Sequence, residues 1–175
     1  MLREAGLVFS VLPSPYDEDG EKDAIRHLPP DRQGAHLARG KAQAVSLLHP
    51  DAFVIGADQI CAMEGQIFGK PHTFERAVTH LRTLQGQTHV QHSAACVYHA
   101  GALAWEQVET VILTMKPLDD AAIHAYLHAD MPLNACGAYA FEKTGHTLFA
   151  HVSGSAAAIK GLPLAGLLRY LMYSV

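Results

Sequence analysis

A mixed α/β fold is what this sequence predicts, on three observations. Helical and extended patterns alternate along the chain with no linker, repeat or low-complexity tract dividing it. Phe53 to Ala57 form a continuous run of small or apolar residues, which reads as a strand covered on both faces. Residues 88–99 and 104–115 read as two long strands with a turn near Gly101. At 175 residues, the chain is expected to form a single domain, 1–175, able to bury a core without disulfides or a structural metal.

Taken in order, residues 2–5 look like the tail of a helix closed by Gly6. Val8 to Leu12 read as a short strand, and the proline-bearing, polar stretch from Pro13 to Pro30 as a loop. A helix is expected over 33–48, stopped by Pro50, followed by the strand at 53–57 and a hairpin turning near Glu64-Gly65. Thr73 can cap a helix over about 74–85, ended by Gly86. Asp119 or Asp120 opens another helix to about 129. Residues 138–153 suggest a hairpin around Thr144-Gly145, and Pro163 suits the first turn of a last helix running to about 173.

Composition narrows function. Hydrophobic residues make up 49% and charged residues 17%, an ordinary globular balance. The net charge of −4 gives the whole chain no attraction for a nucleic-acid polymer or an anionic membrane. Cys61, Cys96 and Cys136 are odd in number and well separated, which fits a reducing cytoplasm. No transmembrane run or signal peptide is expected. Twelve histidines invite a metal reading, but His124/His128 lack the glutamate of H-E-x-x-H, and His89/His92 are spaced to opposite faces of a strand.

Several segments can carry chemistry, each with a bland counterpart. Asp58 follows the apolar run, where a carboxylate at a strand's C-terminal end either caps a turn or does catalysis. Gly69-Lys70-Pro71 fixes a turn that aims an ammonium outward, suited to a phosphate oxygen but also to water. Lys41 falls in the apolar arc of Leu37, Ala38, Ala42, Val45 and Leu48, so it either snorkels or points at an anion. Asp17 and Glu18 lie in an acidic loop that faces water or holds a hard divalent cation. Gly161-Leu162-Pro163-Leu164 opens the last helix; a turn is the simpler reading there, and Lys160 reads as a solvated loop lysine.

Together these stretches resemble the Maf family of nucleoside-triphosphate pyrophosphatases. The resemblance rests on the Asp17-Glu18 step, L-A-R-G-K-A through Lys41, G-A-D-Q at 56–59, G-K-P at 69–71, L-x-x-L-x-G-Q-T-H closing at His89, C-G-A-Y at 136–139 and G-L-P-L at 161–164. It implies an elongated, curved mixed sheet flanked by helices, related to inosine-triphosphate pyrophosphatases. It implies Asp58 and Glu18 as catalytic and metal-binding carboxylates, with Asp58 the proton acceptor, and Lys41 and Lys70 as phosphate ligands. A divalent cation, Mg²⁺ or Mn²⁺, and a homodimer come with the same resemblance. Gln59 and Glu142 resemble the branch acting on 7-methyl-GTP, and a carboxylate at 142 could accept two N–H bonds from guanine. The family's first strand and S-x-S-x-x-R loop have no counterpart, the chain starting inside what resembles the first helix. Two other readings therefore stand beside an active pyrophosphatase: an inactive or weakly active nucleotide-binding remnant with a regulatory role in cell division, and a different phosphate-handling hydrolase.

Overall fold

The computed structural model describes residues 1–174. Its elements in chain order are α1 (Glu18–Ile25), α2 (Pro30–Leu48), β1 (Val54–Met63), β2 (Gln66–Ile67), α3 (Phe74–Leu84), β3 (Thr88–His99), β4 (Ala102–Met115), α4 (Asp120–Asp130), β5 (Phe149–Ser153), α5 (Ala156–Ile159) and α6 (Leu164–Ser174). The five strands form one sheet in the order β2-β1-β3-β4-β5. The expected α/β class and helix-flanked sheet are present. All four ladders are antiparallel, so the sheet lacks the mixed strand direction that the resemblance implied. Both β1–β2 and β3–β4 are direct hairpins, and α3 returns the chain to the other side of β1 in the opposite sense.

Local chemistry explains most element ends. Gly6 takes φ 84°, while Leu7 N–H bonds Leu2 O and Gly6 N–H bonds Arg3 O, the paired closure of a helix tail. Thr73 accepts from Arg76 N–H and Asp119 from Ala122 N–H, capping α3 and α4. Glu64 and Gly65 both have positive φ, as a two-residue hairpin turn requires.

Four expectations are corrected. Val8 to Leu12 form no strand; they join no ladder, and Val8 is fully exposed, because an apolar pattern cannot supply its own pairing partner. The stretch from Pro13 to Pro30 is not all loop: its prolines lie outside Glu18–Ile25, where Asp17 caps α1. Residues 138–153 make no hairpin; short 3₁₀ turns at Cys136–Ala138 and Thr144–Leu148 lead into β5, which pairs with β4. β1 runs to Met63, so Asp58 is the fifth of its ten residues rather than its end.

The sheet's two faces carry different helices. On one, Ala35, Ala38 and Ala42 of α2 pack on Ala94, Cys96 and Tyr98 of β3, and Leu37 meets Ile60 and Ala62 of β1. Leu48, placed in the apolar arc from sequence, is exposed at the helix end. On the other face, α3 and α4 join Cys61, Val111, Leu113 and Met115, while α6 covers Ala95 and Val97. Small residues bring α2 close to β1. A Cβ at Gly56 would overlap the Ala38 carbonyl oxygen and come within 2.7 Å of Ala42 Cβ.

Gly56→Ala should therefore push α2 off the sheet. Overpacking of this kind costs about 1–3 kcal/mol. The check is the urea midpoint, and an unchanged midpoint would show that the helix yields freely.

Candidate active site

Three separate elements bring one charged group each to a common point. Glu18 is the first residue of α1, held there by the Asp17 cap, whose Oδ1 accepts from Gly20 N–H at 3.1 Å. Lys41 lies in the middle of α2, on the face that packs against β1. Asp58 projects from β1 on the same side as Gly56 and Ile60, since side chains alternate along a strand. Lys41 Nζ donates to Asp58 Oδ1 at 2.5 Å and lies 3.5 Å from Glu18 Oε2. Lys22, one turn along α1, holds Glu18 Oε1 at 2.8 Å.

The ambiguity over Lys41 is thus resolved locally: it neither snorkels nor stands alone but is shared between two carboxylates. Its side chain is 23% exposed and that of Asp58 12%, so the pair is largely but not wholly withdrawn from water. The two acids are driven apart in basicity. Burial raises the Asp58 pKa, and the opposing charge and hydrogen bond of Lys41 do not undo it. Burial also acts upward on Glu18, but the Lys22 hydrogen bond and the charges of Lys41, Lys22 and Lys70 prevail and lower its pKa. One carboxylate is therefore the better proton acceptor and the other the more firmly ionised.

Lys70 sits on the loop between β2 and α3. The loop is pinned by Phe68 N–H to Cys61 O, Gly137 N–H to Phe68 O and His72 N–H to Leu133 O, with His72 at φ 61°. Lys70 itself is exposed and forms no ion pair among the described residues. Its charge reaches both Glu18 and Cys136.

Two expected residues lie apart from this centre. Gln59 points to the opposite face of β1, where its Nε2 is within hydrogen-bond distance of Gln91 Oε1 (2.5 Å), Ser93 Oγ (3.1 Å), Ala158 O (3.1 Å) and Ile159 O (2.9 Å). Cys136 Sγ donates to its Oε1 at 3.4 Å, so both ends of the amide are occupied within the protein. Glu142 is exposed on the turn before Thr144–Leu148 and near enough to Tyr126 for its charge to act there. No contact joins it to Glu18, Lys41 or Asp58 among the described residues. Cys136 offers no nucleophile, because burial pushes its thiol up to about 12.

Lys22, Ser14 and Tyr16 belong to the neighbourhood and were not singled out from sequence. The Glu18/Lys22 spacing of four was visible, but only a helix makes it meaningful, and the flanking prolines masked that helix. Ser14 Oγ donates to Lys41 O at 2.9 Å, tying the preceding segment to α2.

As a donor set, two carboxylates converging on one cation suit a metal that arrives with its substrate. Mg²⁺ commonly takes only one or two protein carboxylates and fills its remaining positions with water and phosphate oxygens. No group of three or more histidine, cysteine or acidic side chains suited to a metal occurs among the described residues. Nor is any described helix long and apolar enough to cross a membrane.

Comparison with known proteins agrees with this geometry. The family model described as Maf-like protein matches residues 1–173. A nucleoside triphosphate pyrophosphatase of Legionella pneumophila strain Philadelphia 1 is 37% identical over 172 residues, covering 98% of this chain and 86% of its own. Proteins with the same name from Bradyrhizobium diazoefficiens and Rhodospirillum rubrum are 39% and 37% identical, each match covering 98% of this chain and 86% and 87% of theirs. With its sequence matched almost end to end and two acids and a lysine gathered at one centre, the chain belongs to the Maf-like protein family.

Proposed function

We propose that this protein hydrolyses nucleoside triphosphates to the monophosphate and pyrophosphate. One observation carries the reading: an ammonium held between two carboxylates of opposite pKa tendency, on three elements that meet at a sheet face. Family membership and the names of the relatives support it.

In this reading Asp58 accepts the proton of a water that attacks the α-phosphorus. The new bond joins the water oxygen to that phosphorus, and the bond to the β-phosphate oxygen breaks, releasing pyrophosphate. A buried aspartate with a raised pKa is a stronger base than a solvated one. Lys41, already between the two acids, exchanges a carboxylate for a phosphate oxygen when the nucleotide enters. Lys70, unpaired on its pinned loop, meets the outer phosphates. Glu18 and Asp58 would hold a divalent cation, which when bound neutralises phosphate charge and makes water more acidic.

Among bases, we place 7-methyl-GTP first. Glu142 is exposed and free to pair with the adjacent N–H groups of guanine, and the positive charge of N7 methylation would strengthen that pairing. Gln59 contributes indirectly in this reading, by fixing β1 from its far side. A homodimer in the cytoplasm completes the proposal.

Asp58→Asn should lower kcat by about 10²–10⁴ while keeping the fold, since it removes the base with little change of shape. Steady-state release of pyrophosphate measures this, and full turnover in the variant would remove Asp58 from the mechanism.

Lys41→Met should be less stable than wild type, because it leaves Asp58 without the charge that lowers its pKa. The sign follows from linkage. A carboxyl whose folded pKa lies above its unfolded value loses stability as pH rises through the folded pKa, and removing Lys41 enlarges that gap. The deficit against wild type should open as pH climbs beyond the ordinary carboxylate range. Urea midpoints from pH 4 to 8 report it; a constant difference would mean that Asp58 does not feel Lys41.

For base choice, kcat/KM should be highest with 7-methyl-GTP among 7-methyl-GTP, GTP, UTP and dTTP, and Glu142→Gln should narrow the lead. A wild-type preference for UTP or dTTP would refute the assignment of Glu142.

A further inference from the structure

The hydroxyl of Tyr16 is enclosed by protein and has no hydrogen-bond partner among the described residues. Buried polar groups are nearly always paired, so an orphan beside a charged centre calls for an explanation. Its position is tightly defined. Tyr16 N–H donates to Ser14 Oγ at 3.3 Å, and Ser14 Oγ in turn donates to the carbonyl of Lys41. Tyr16 O accepts Glu18 N–H at 3.0 Å. The hydroxyl end of the ring lies on Gly40, the residue before Lys41, where a Cβ would overlap Cζ and Cε2. Glycine is a poor choice inside a helix, and the approach of this ring accounts for it at position 40. On its inner side the ring joins Ile25, Leu37 and Ile60. The charges that act on the phenol are those of Glu21, Glu18, Asp17 and Asp58, all acidic. Of these, Glu21 is paired with His36 at 2.9 Å, and Asp17 is engaged with Gly20 N–H.

We propose that Tyr16 is a positioning residue for this centre, whose hydroxyl donates to the Glu18–Asp58 carboxylates when Lys41 turns to the substrate phosphates. Lys41 serves both acids in the structure, and the phenol donates to none of the described residues. Once phosphate draws the ammonium away, the acids lose a donor, and the Tyr16 phenol, seated against Gly40 beside Lys41, can supply one. A neutral donor suits this task because it orients a carboxylate without cancelling the charge needed for the base and for a cation. Hydrogen-bond partners behind ligating carboxylates are worth about 10–100-fold in binding or activity.

The inference rests on the proposed triphosphate site, and the test separates the two. Tyr16→Phe in the full chain removes only the oxygen. Its melting temperature without nucleotide should equal or exceed that of wild type, because an unpaired buried hydroxyl is lost. Its affinity for an α,β-methylene triphosphate analogue, measured by calorimetry with Mg²⁺, should fall about tenfold, and kcat/KM with it. Tyr16→Leu, which also removes the ring from Gly40, should fall further. If wild type binds the analogue and Tyr16→Phe binds it equally well, the role of Tyr16 is overturned while the triphosphate site stands. A lower melting temperature with unchanged affinity would make the hydroxyl purely structural and likewise overturn it. If wild type binds no analogue, the triphosphate site itself fails and the inference falls with it.

Discussion

The ammonium of Lys41, lodged between Asp58 and Glu18, is the interaction on which the arrangement of this molecule turns. A lysine on the packing face of a helix is unfavourable unless a counter-charge meets it. Meeting it requires α1, α2 and β1 to converge within a few ångströms, and the sequence is shaped to allow that. Gly56 lets α2 lie on the backbone of β1. Gly40 admits the ring of Tyr16, and Ser14 ties the incoming chain to the Lys41 carbonyl. The Asp17 cap fixes where α1 begins and therefore where Glu18 stands. Each of these is a local packing or capping device, yet all of them bear on one ion cluster.

The sheet separates chemistry from support. Side chains alternate along β1, so Asp58 meets the charged cluster while Gln59, its neighbour, is bound to Gln91, Ser93 and the backbone of α5 on the other side. That polar seam continues through Gln91 Nε2 to the Tyr139 hydroxyl at 2.7 Å. Buried networks of this kind resist shear because each member would be left unpaired by a shift in register. The result is a strand held by side-chain hydrogen bonds on the face opposite Asp58. The opposite pKa tendencies of Asp58 and Glu18 come from the same geometry: burial dominates for the residue in the sheet, and lysines dominate for the residue at the helix start.

Much of this was legible in the sequence where a single residue dictates backbone geometry. The Thr73 cap, the Gly101 turn between β3 and β4, the Glu64-Gly65 hairpin and the Gly6 closure stand where the residue types put them. Motif resemblance singled out Asp58, Lys41 and Glu18 as candidates, but their mutual contact could not be read from it. The losses share a cause, which is dependence on distant partners. Val8 to Leu12 have strand composition and no strand to pair with. α1 was hidden by prolines that flank it without entering it. Asp58 was placed at a strand end by a rule for parallel sheets, and this sheet is antiparallel. Gln59 was placed with the substrate by resemblance to the branch acting on 7-methyl-GTP, whereas its side chain faces the side of β1 away from Asp58.

The phosphorus that water attacks decides between this chemistry and its alternatives. Turnover of a nucleoside triphosphate in ¹⁸O-labelled water, followed by mass spectrometry of both products, tests it in one step. A centre in which Asp58 activates water against the α-phosphorus predicts that the label appears in the nucleoside monophosphate and that pyrophosphate carries none. Label in pyrophosphate or in orthophosphate would contradict it.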